Sequence, residues 1–254
     1  MYETLKNRLG EWISLERDVL TLSGALFIFS LAMQMTTRFL PEYMAVLGAG
    51  SVVIGFYGTF EEIVNSIYPY PGGKISDRFG NRGTLVCFGA LTTLGFLIWF
   101  AAPYLHSLNV FGTTLSGWIW IFVGIIFVLA WKELGMGATF ALVKNSVPPN
   151  QLARGFASTE VFRRFGYLLG PLIASGILWY YSQFISGFQV ILAGAVGVSL
   201  LATVLQWKGY RAAENQLEKK SQKGGKNSFQ TILRDFQRLP PALQPLLIGD
   251  TLVR

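Results

Sequence analysis

Five charged residues interrupt stretches that are otherwise apolar: Arg38, Glu61, Glu62, Lys132 and Glu133. A charge in such surroundings is costly, and it is kept for an ion pair, a proton relay or a polar ligand. Glu61 and Glu62 are neighbours, so at one depth they cannot both stay unpaired and ionised cheaply. A cation favours the charged form of the acid it touches. A desolvated carboxylate without that partner can carry a proton. If the flanking apolar runs form a helical hairpin turning near residue 48, Arg38 and Glu61 differ in depth by about 4–5 Å at 1.5 Å per residue. The spacing therefore predicts an Arg38–Glu61 or Arg38–Glu62 pair, with the other acid, Glu62 by preference, left to titrate. A purely structural ion pair beside a neutral acid is the plainer alternative, and Glu42 is a competing partner for Arg38. Lys132 and Glu133 form a second candidate coupling pair.

Other chemistries lack their residues. One histidine, His106, and one cysteine, Cys87, cannot build a metal centre or a disulfide. A phosphate-cradling loop G-x-x-x-x-G-K-[ST] fails around Gly73-Lys74, where Tyr68 and Ile75 hold the other required positions. The expectation is no metal, no cofactor and no enzyme.

The elements that hold these charges are read from apolar runs. Apolar residues make up 52% of the 254 and charged residues only 14%, against roughly 25% charged in soluble domains. Residues 83–131 and 165–207 contain no Asp, Glu, Lys or Arg. Each is long enough for two spans of about 20 residues. Spans are predicted at 19–40, 50–71, 83–103, 117–142, 156–180 and 187–207. All are helical, because backbone groups in lipid must be satisfied within the segment. The fold class is thus all-α, a polytopic six-helix membrane bundle over 19–207.

The net charge of +7 does not indicate a nucleic-acid partner, because its distribution follows topology. Segments 1–18, 72–83, 144–164 and 208–238 carry 18 of the 21 Lys and Arg residues, while the loops near 41–50, 103–116 and 180–188 carry none. Positive charge collects on the cytoplasmic side. This predicts a multi-pass protein of the cell membrane, plasma or inner, with its N-terminus in the cytoplasm. Residues 1–18 read as an amphipathic segment on that surface, with Tyr2, Leu5, Leu9, Trp12 and Ile13 on one face. Residues 208–239 read as a hydrophilic cytoplasmic linker. Pro240-Pro241 then introduces a new apolar run, 240–254, which reads as the start of a truncated seventh span.

One charged turn lies between two apolar runs: Gly73-Lys74-Ile75-Ser76-Asp77-Arg78-Phe79-Gly80-Asn81-Arg82. Its pattern G-x-x-x-D-R-x-G-x-R resembles the loop between the second and third helices of the major facilitator superfamily, a family of secondary transporters. That resemblance implies half of a twelve-helix transporter, joined to a C-terminal half by the linker. It implies alternating access for a small solute, and the unpaired acid of Glu61 or Glu62 makes protons the expected coupling ions. It also implies a conformational latch with Asp77 as acceptor and Gly73, Arg78, Gly80 and Arg82 in support. Gly166, Gly170 and Pro171 resemble the family's fifth-helix motif, which is associated with antiporters. Ala174 and Ser175 replace its last two glycines. The resemblance therefore leans to efflux, with import or uniport as alternatives and a six-helix scaffold as a further one. Small residues at this spacing are equally what close helix packing requires. Gly135-Met136-Gly137-Ala138 fits the family's fourth-helix glycines, but Trp131 stands where an Arg is usual and Lys132 is adjacent. Glu160, Arg163 and Arg164 read as side chains snorkelling to the inner interface, with a cavity mouth as the alternative. Tyr57, Phe60, Trp118, Trp120 and Phe127 are candidate cavity aromatics or plain packing residues.

Overall fold

The computed structural model describes residues 17–105, 109–110, 113–114 and 116–209. These all fall in one unit, Met1–Glu218. The amphipathic face at 1–16, the linker from 210 and the apolar run 240–254 lie outside the described residues.

The described chain is helical apart from one short ladder. In order come α1 (Arg17–Thr37), α2 (Leu40–Val46), α3 (Ser51–Ile67) and α4 (Pro69–Leu105). The strands β1 (Asn109–Val110) and β2 (Thr113–Thr114) pair antiparallel, with Asn109 opposite Thr114. Then follow α5 (Ile119–Val128), a π-helical turn (Ala130–Leu134), α6 (Met136–Ser146), α7 (Leu152–Tyr180) and α8 (Phe184–Gly209).

Among the described residues, five segments are long and apolar enough to cross a membrane: Val19–Thr37, Arg78–Leu105, Ile119–Lys144, Pro149–Tyr180 and Phe184–Lys208. The six expected spans are thus five by this measure. The difference lies at α3, which is 17 residues long. Glu61, Glu62 and Asn65 dilute its apolar run, and Pro69 begins the next helix. The first expected span also ends early. Thr36 and Thr37 turn their hydroxyls back onto the Ala32 and Met33 carbonyls. Pro41 then opens α2, where its missing N–H costs nothing. That short helix closes at Gly48, whose φ is +88°. Gly48 N donates to Ala45 O and Ala49 N to Met44 O, both at 3.0 Å. This is the paired C-terminal bonding that a left-handed glycine permits.

Two apolar clusters hold the bundle. One joins α2, α4, α5 and α8 through Tyr43, Trp99, Ile121 and Phe188, all fully buried. The Tyr43 hydroxyl donates to Trp99 O (3.1 Å), and Trp99 Nε1 donates to Ile121 O (3.0 Å). In a bilayer these polar tips have no water, so backbone carbonyls serve them. The other cluster joins α1, α4, α6 and α8 through Leu22, Phe29, Leu85, Trp131, Leu142 and Ala202.

Small residues set the closest approaches. A Cβ at Gly166 would lie 2.7 Å from Phe27 O and 2.8 Å from Ser30 Cβ. A Cβ at Gly170 would lie 2.8 Å from Gln34 Cβ. These glycines let α7 press directly onto the backbone of α1, as small residues do between membrane helices. Ala174, fully buried, continues the seam one turn on.

Candidate functional site

The Lys132–Glu133 pair sits in the π-helical turn. A π turn carries one residue more than the α ladder accommodates, and it leaves an amide to be satisfied elsewhere. Here Gly135 N reaches back five residues to Ala130 O (3.3 Å), while Glu133 N keeps the ordinary four-residue bond to Leu129 O (2.9 Å). The Trp131 amide instead donates to Thr92 Oγ1 on α4 (3.0 Å), and the Thr92 hydroxyl donates to Val128 O (3.1 Å). Thr92 thus splices the widened turn. Gly135 is required at its end, since a Cβ there would run into the Trp131 carbonyl oxygen.

The wider turn also changes which side chains are neighbours. Adjacent residues project closer together than on an α-helix, and Lys132 Nζ reaches Glu133 Oε1 at 2.6 Å. Glu133 is buried, whereas the Lys132 side chain keeps 33% exposure. Trp131 and Lys132 both face one cavity. The indole stacks on Phe29 (centroids 4.3 Å apart) and donates from Nε1 to Gln206 Oε1 (3.2 Å).

That cavity encloses about 850 Å³ with its open mouth included, and it lies between α1, the π turn, α6 and α7. Its apolar wall includes Phe29, Met33, Trp131, Met136 and Phe140. Its charged wall is Lys132, Glu160 and Arg163, with Tyr167 alongside. Glu160 takes the whole fork of Arg163, from Nε at 2.8 Å and from Nη2 at 2.7 Å. Arg164 Nε adds a third bond at 2.7 Å, and Arg163 Nη1 donates to the Tyr167 hydroxyl at 3.1 Å. Glu160 and Arg163 therefore line the cavity, where the sequence favours plain snorkelling. Their signal was a carboxylate with cations at i+3 and i+4.

The other expected residues are placed as follows. Arg38 sits in the turn between α1 and α2, exposed, with its Nε on Gln34 Oε1 (3.1 Å). Among the described residues no ion pair joins Arg38 to Glu61 or Glu62, so the expected pairing is corrected. The pairing needs one straight helix to residue 40, and α1 stops at Thr37. Glu61 is half-buried and Glu62 exposed. The charges that act on Glu61 are Lys132, Glu62 and Glu133, not Arg38. Tyr57 and Asn65 flank Glu61 on the same face of α3, and the Tyr57 hydroxyl and Asn65 Oδ1 are buried with no partner.

In the charged turn, the helical path breaks at Gly80, with φ 76° and ψ 158°. Only glycine adopts that backbone comfortably. Arg82 Nη2 donates to Trp207 O at the end of α8 (2.7 Å), Ser76 Oγ donates to Asn81 Oδ1 (2.8 Å), and Arg78 is exposed. The Asp77 side chain lies outside the described residues. Gly73 has open space where a Cβ would go. Its neighbour Gly72 is the close-packing residue, because a Cβ there would lie 2.7 Å from Leu134 Cα in the π turn. Of the candidate cavity or packing aromatics, Tyr57, Phe60 and Trp118 cluster around Phe122, as packing residues do.

A bundle of long apolar helices around a charge-lined cavity defines a polytopic membrane protein. The family model of the Major Facilitator Superfamily matches residues 20–252, and the chain belongs to that family. A protein of Methanocaldococcus jannaschii, described as an uncharacterized MFS-type transporter, is 25% identical over 189 residues. The match covers 72% of this chain and 42% of that relative, so the chain spans less than half the relative's length.

Proposed function

We propose that the protein is a secondary transporter that moves a small solute by alternating access, driven by protons. The observation that carries this reading is the cavity, where Lys132, Glu160 and Arg163 converge beside a π-helical turn. Intramembrane charges that line a cavity mark substrate and ion pathways, and π turns recur at functional sites. Glu61 is the proposed proton carrier. It lies within reach of the charges of Lys132 and Glu133, on a short helix where the buried Tyr57 hydroxyl and Asn65 Oδ1 are unpartnered. Lys132 exchanges between the two carboxylates as the proton comes and goes.

The Gly73–Arg82 segment is the proposed latch, with Asp77 as acceptor. The Gly80 break and the Arg82–Trp207 bond support it by tying the segment to the end of α8. The N-terminus is proposed to be cytoplasmic, and a C-terminal half is the proposed partner across the cavity. The direction is efflux by antiport, on the likeness of Gly166, Gly170 and Pro171 to the antiporter motif. Proton-coupled import is the alternative.

Proteoliposomes with an imposed pH gradient test the reading. Solute flux that follows the sign of the gradient supports coupling, and uphill movement against the proton flow supports antiport. Flux indifferent to the gradient in wild type, with Glu61→Gln unchanged, removes the coupling assignment.

A further inference from the structure

Beyond the hydroxyls of Ser30, Thr92, Thr139 and Thr159, the hydrogen-bonding capacity left open in the cavity is mostly that of donors. Glu160 is largely engaged, with three of its roughly four acceptor sites filled: Oε1 accepts from Arg163 Nη2 and Arg164 Nε, and Oε2 accepts from Arg163 Nε. Glu133 is buried against Lys132 and does not line the cavity. Donors, by contrast, remain. Lys132 has three N–H groups and one described partner. Arg163 has five, of which three are engaged, at Nε, Nη2 and Nη1. The Tyr167 hydroxyl accepts from Arg163 and keeps its own proton free to donate. The lining charges are two cations and one carboxylate, and a second guanidinium, Arg164, shares that carboxylate. A cationic ligand would meet two cations and a carboxylate already held by two guanidiniums. A neutral one would leave the donors unmatched, which is costly out of water. Phe29, Trp131, Met136 and Phe140 supply apolar lining to the same cavity.

We infer that this cavity binds an amphipathic organic anion. Its carboxylate or phosphate-like head lies between Lys132, Arg163 and Tyr167, and its apolar body lies against Phe29, Trp131 and Phe140. This assignment rests on the transporter reading for its physiological meaning, but its chemistry is tested separately. The head replaces water on donors that already exist, so Glu160 need not release either arginine. Fork geometry suits a planar or tetrahedral oxyanion, and charge-assisted bonds of this kind are about twice as strong as neutral ones.

The test uses the protein in phosphatidylcholine nanodiscs and a matched probe series: 2-naphthoate, 2-naphthylmethylammonium and 2-naphthalenemethanol. Calorimetric titration is expected to show 2-naphthoate binding at least about tenfold tighter than the other two, a difference of about 1.4 kcal/mol. Arg163→Gln and Lys132→Gln should each weaken 2-naphthoate about tenfold and leave the alcohol unchanged. Arg163→Lys, which keeps the charge without the fork, should fall between; it also stands in if Arg163→Gln does not fold. Glu160→Gln should hold or tighten 2-naphthoate, because it releases two guanidiniums. The inference is overturned if the ammonium binds as well as the carboxylate, if none of the three binds, or if both Gln variants stay within about twofold of wild type. Oleate supplied in the bilayer separates two sources of the same chemistry: displacement of 2-naphthoate means a lipid-borne anion, and its absence a soluble one. Counterflow in proteoliposomes keeps the two readings apart. Flux of the ammonium alone retains a carrier and overturns the anion. Tight 2-naphthoate binding without any flux retains the anion site and overturns the carrier.

Discussion

Glu160 and Glu61 are both acids set among apolar helices, and their surroundings are opposite. Glu160 receives three short bonds from two arginines on its own helix, at i+3 and i+4. Glu61 ends no described hydrogen bond or ion pair, and it stands between a buried Tyr57 hydroxyl and a buried Asn65 Oδ1 that also lack partners. A carboxylate held by three charge-assisted bonds is fixed in charge and position, and it serves as scaffold for the arginines. An under-satisfied one has somewhere to go. It can take a proton, or take Lys132 from Glu133. The difference separates a charge that shapes a cavity from a charge that can drive a change of state.

The largest effect should come from breaking that contrast. Glu61→Gln is expected to abolish gradient-driven flux, by more than about tenfold, a barrier change of at least 1.4 kcal/mol. Unfolding by detergent should be nearly unchanged, since no described bond is lost. Glu160→Gln should keep gradient sensitivity while altering solute affinity. Equal loss of gradient response in both variants would erase the distinction.

Next in size is the seam that carries Glu160. Gly166→Ala and Gly170→Ala place a methyl within 3 Å of α1. Overpacking of that kind costs roughly 1–3 kcal/mol. Reversible unfolding in mixed micelles measures it, and cavity geometry should suffer with it, because Phe29, Ser30 and Met33 are on the α1 wall. Thr92→Val addresses the other wall. It leaves the Trp131 amide without its described acceptor at a buried site, at a cost of about 1–3 kcal/mol. A Thr92→Ser variant should restore most of it. A Val variant as stable as wild type would show that the π turn does not depend on α4.

What the sequence reveals follows from how local each feature is. Helical spans, charge asymmetry and the Gly166–Gly170 packing face are written in runs and short periods, and they are visible. The Gly80 break is visible because glycine marks it. The π turn is not, since it depends on a threonine 39 residues earlier on another helix. Glu160 and Arg163 look like interface residues, because i,i+3 spacing says nothing about what faces them from α1. Arg38 misleads for the opposite reason: its type is conspicuous, while the early end of α1 hides in two threonines and Pro41. The short α3 is legible in Glu61, Glu62 and Asn65, yet apolar run length alone passes over it.

The smallest effect isolates geometry from composition along α7. Gly176 belongs to the same glycine-bearing helix as Gly166 and Gly170, yet a Cβ there has nothing within 4 Å. It lies inside the helix Leu152–Tyr180 and has no positive φ. Alanine there meets no wall and removes backbone freedom from the unfolded chain. Gly176→Ala should therefore be neutral or stabilising by about 0.5–1 kcal/mol, with flux unchanged. The same substitution ten residues earlier should destabilise. Were Gly176→Ala as damaging as Gly166→Ala, the glycines of α7 would act through a property of the whole helix, such as bending at Pro171, and not through contact with α1.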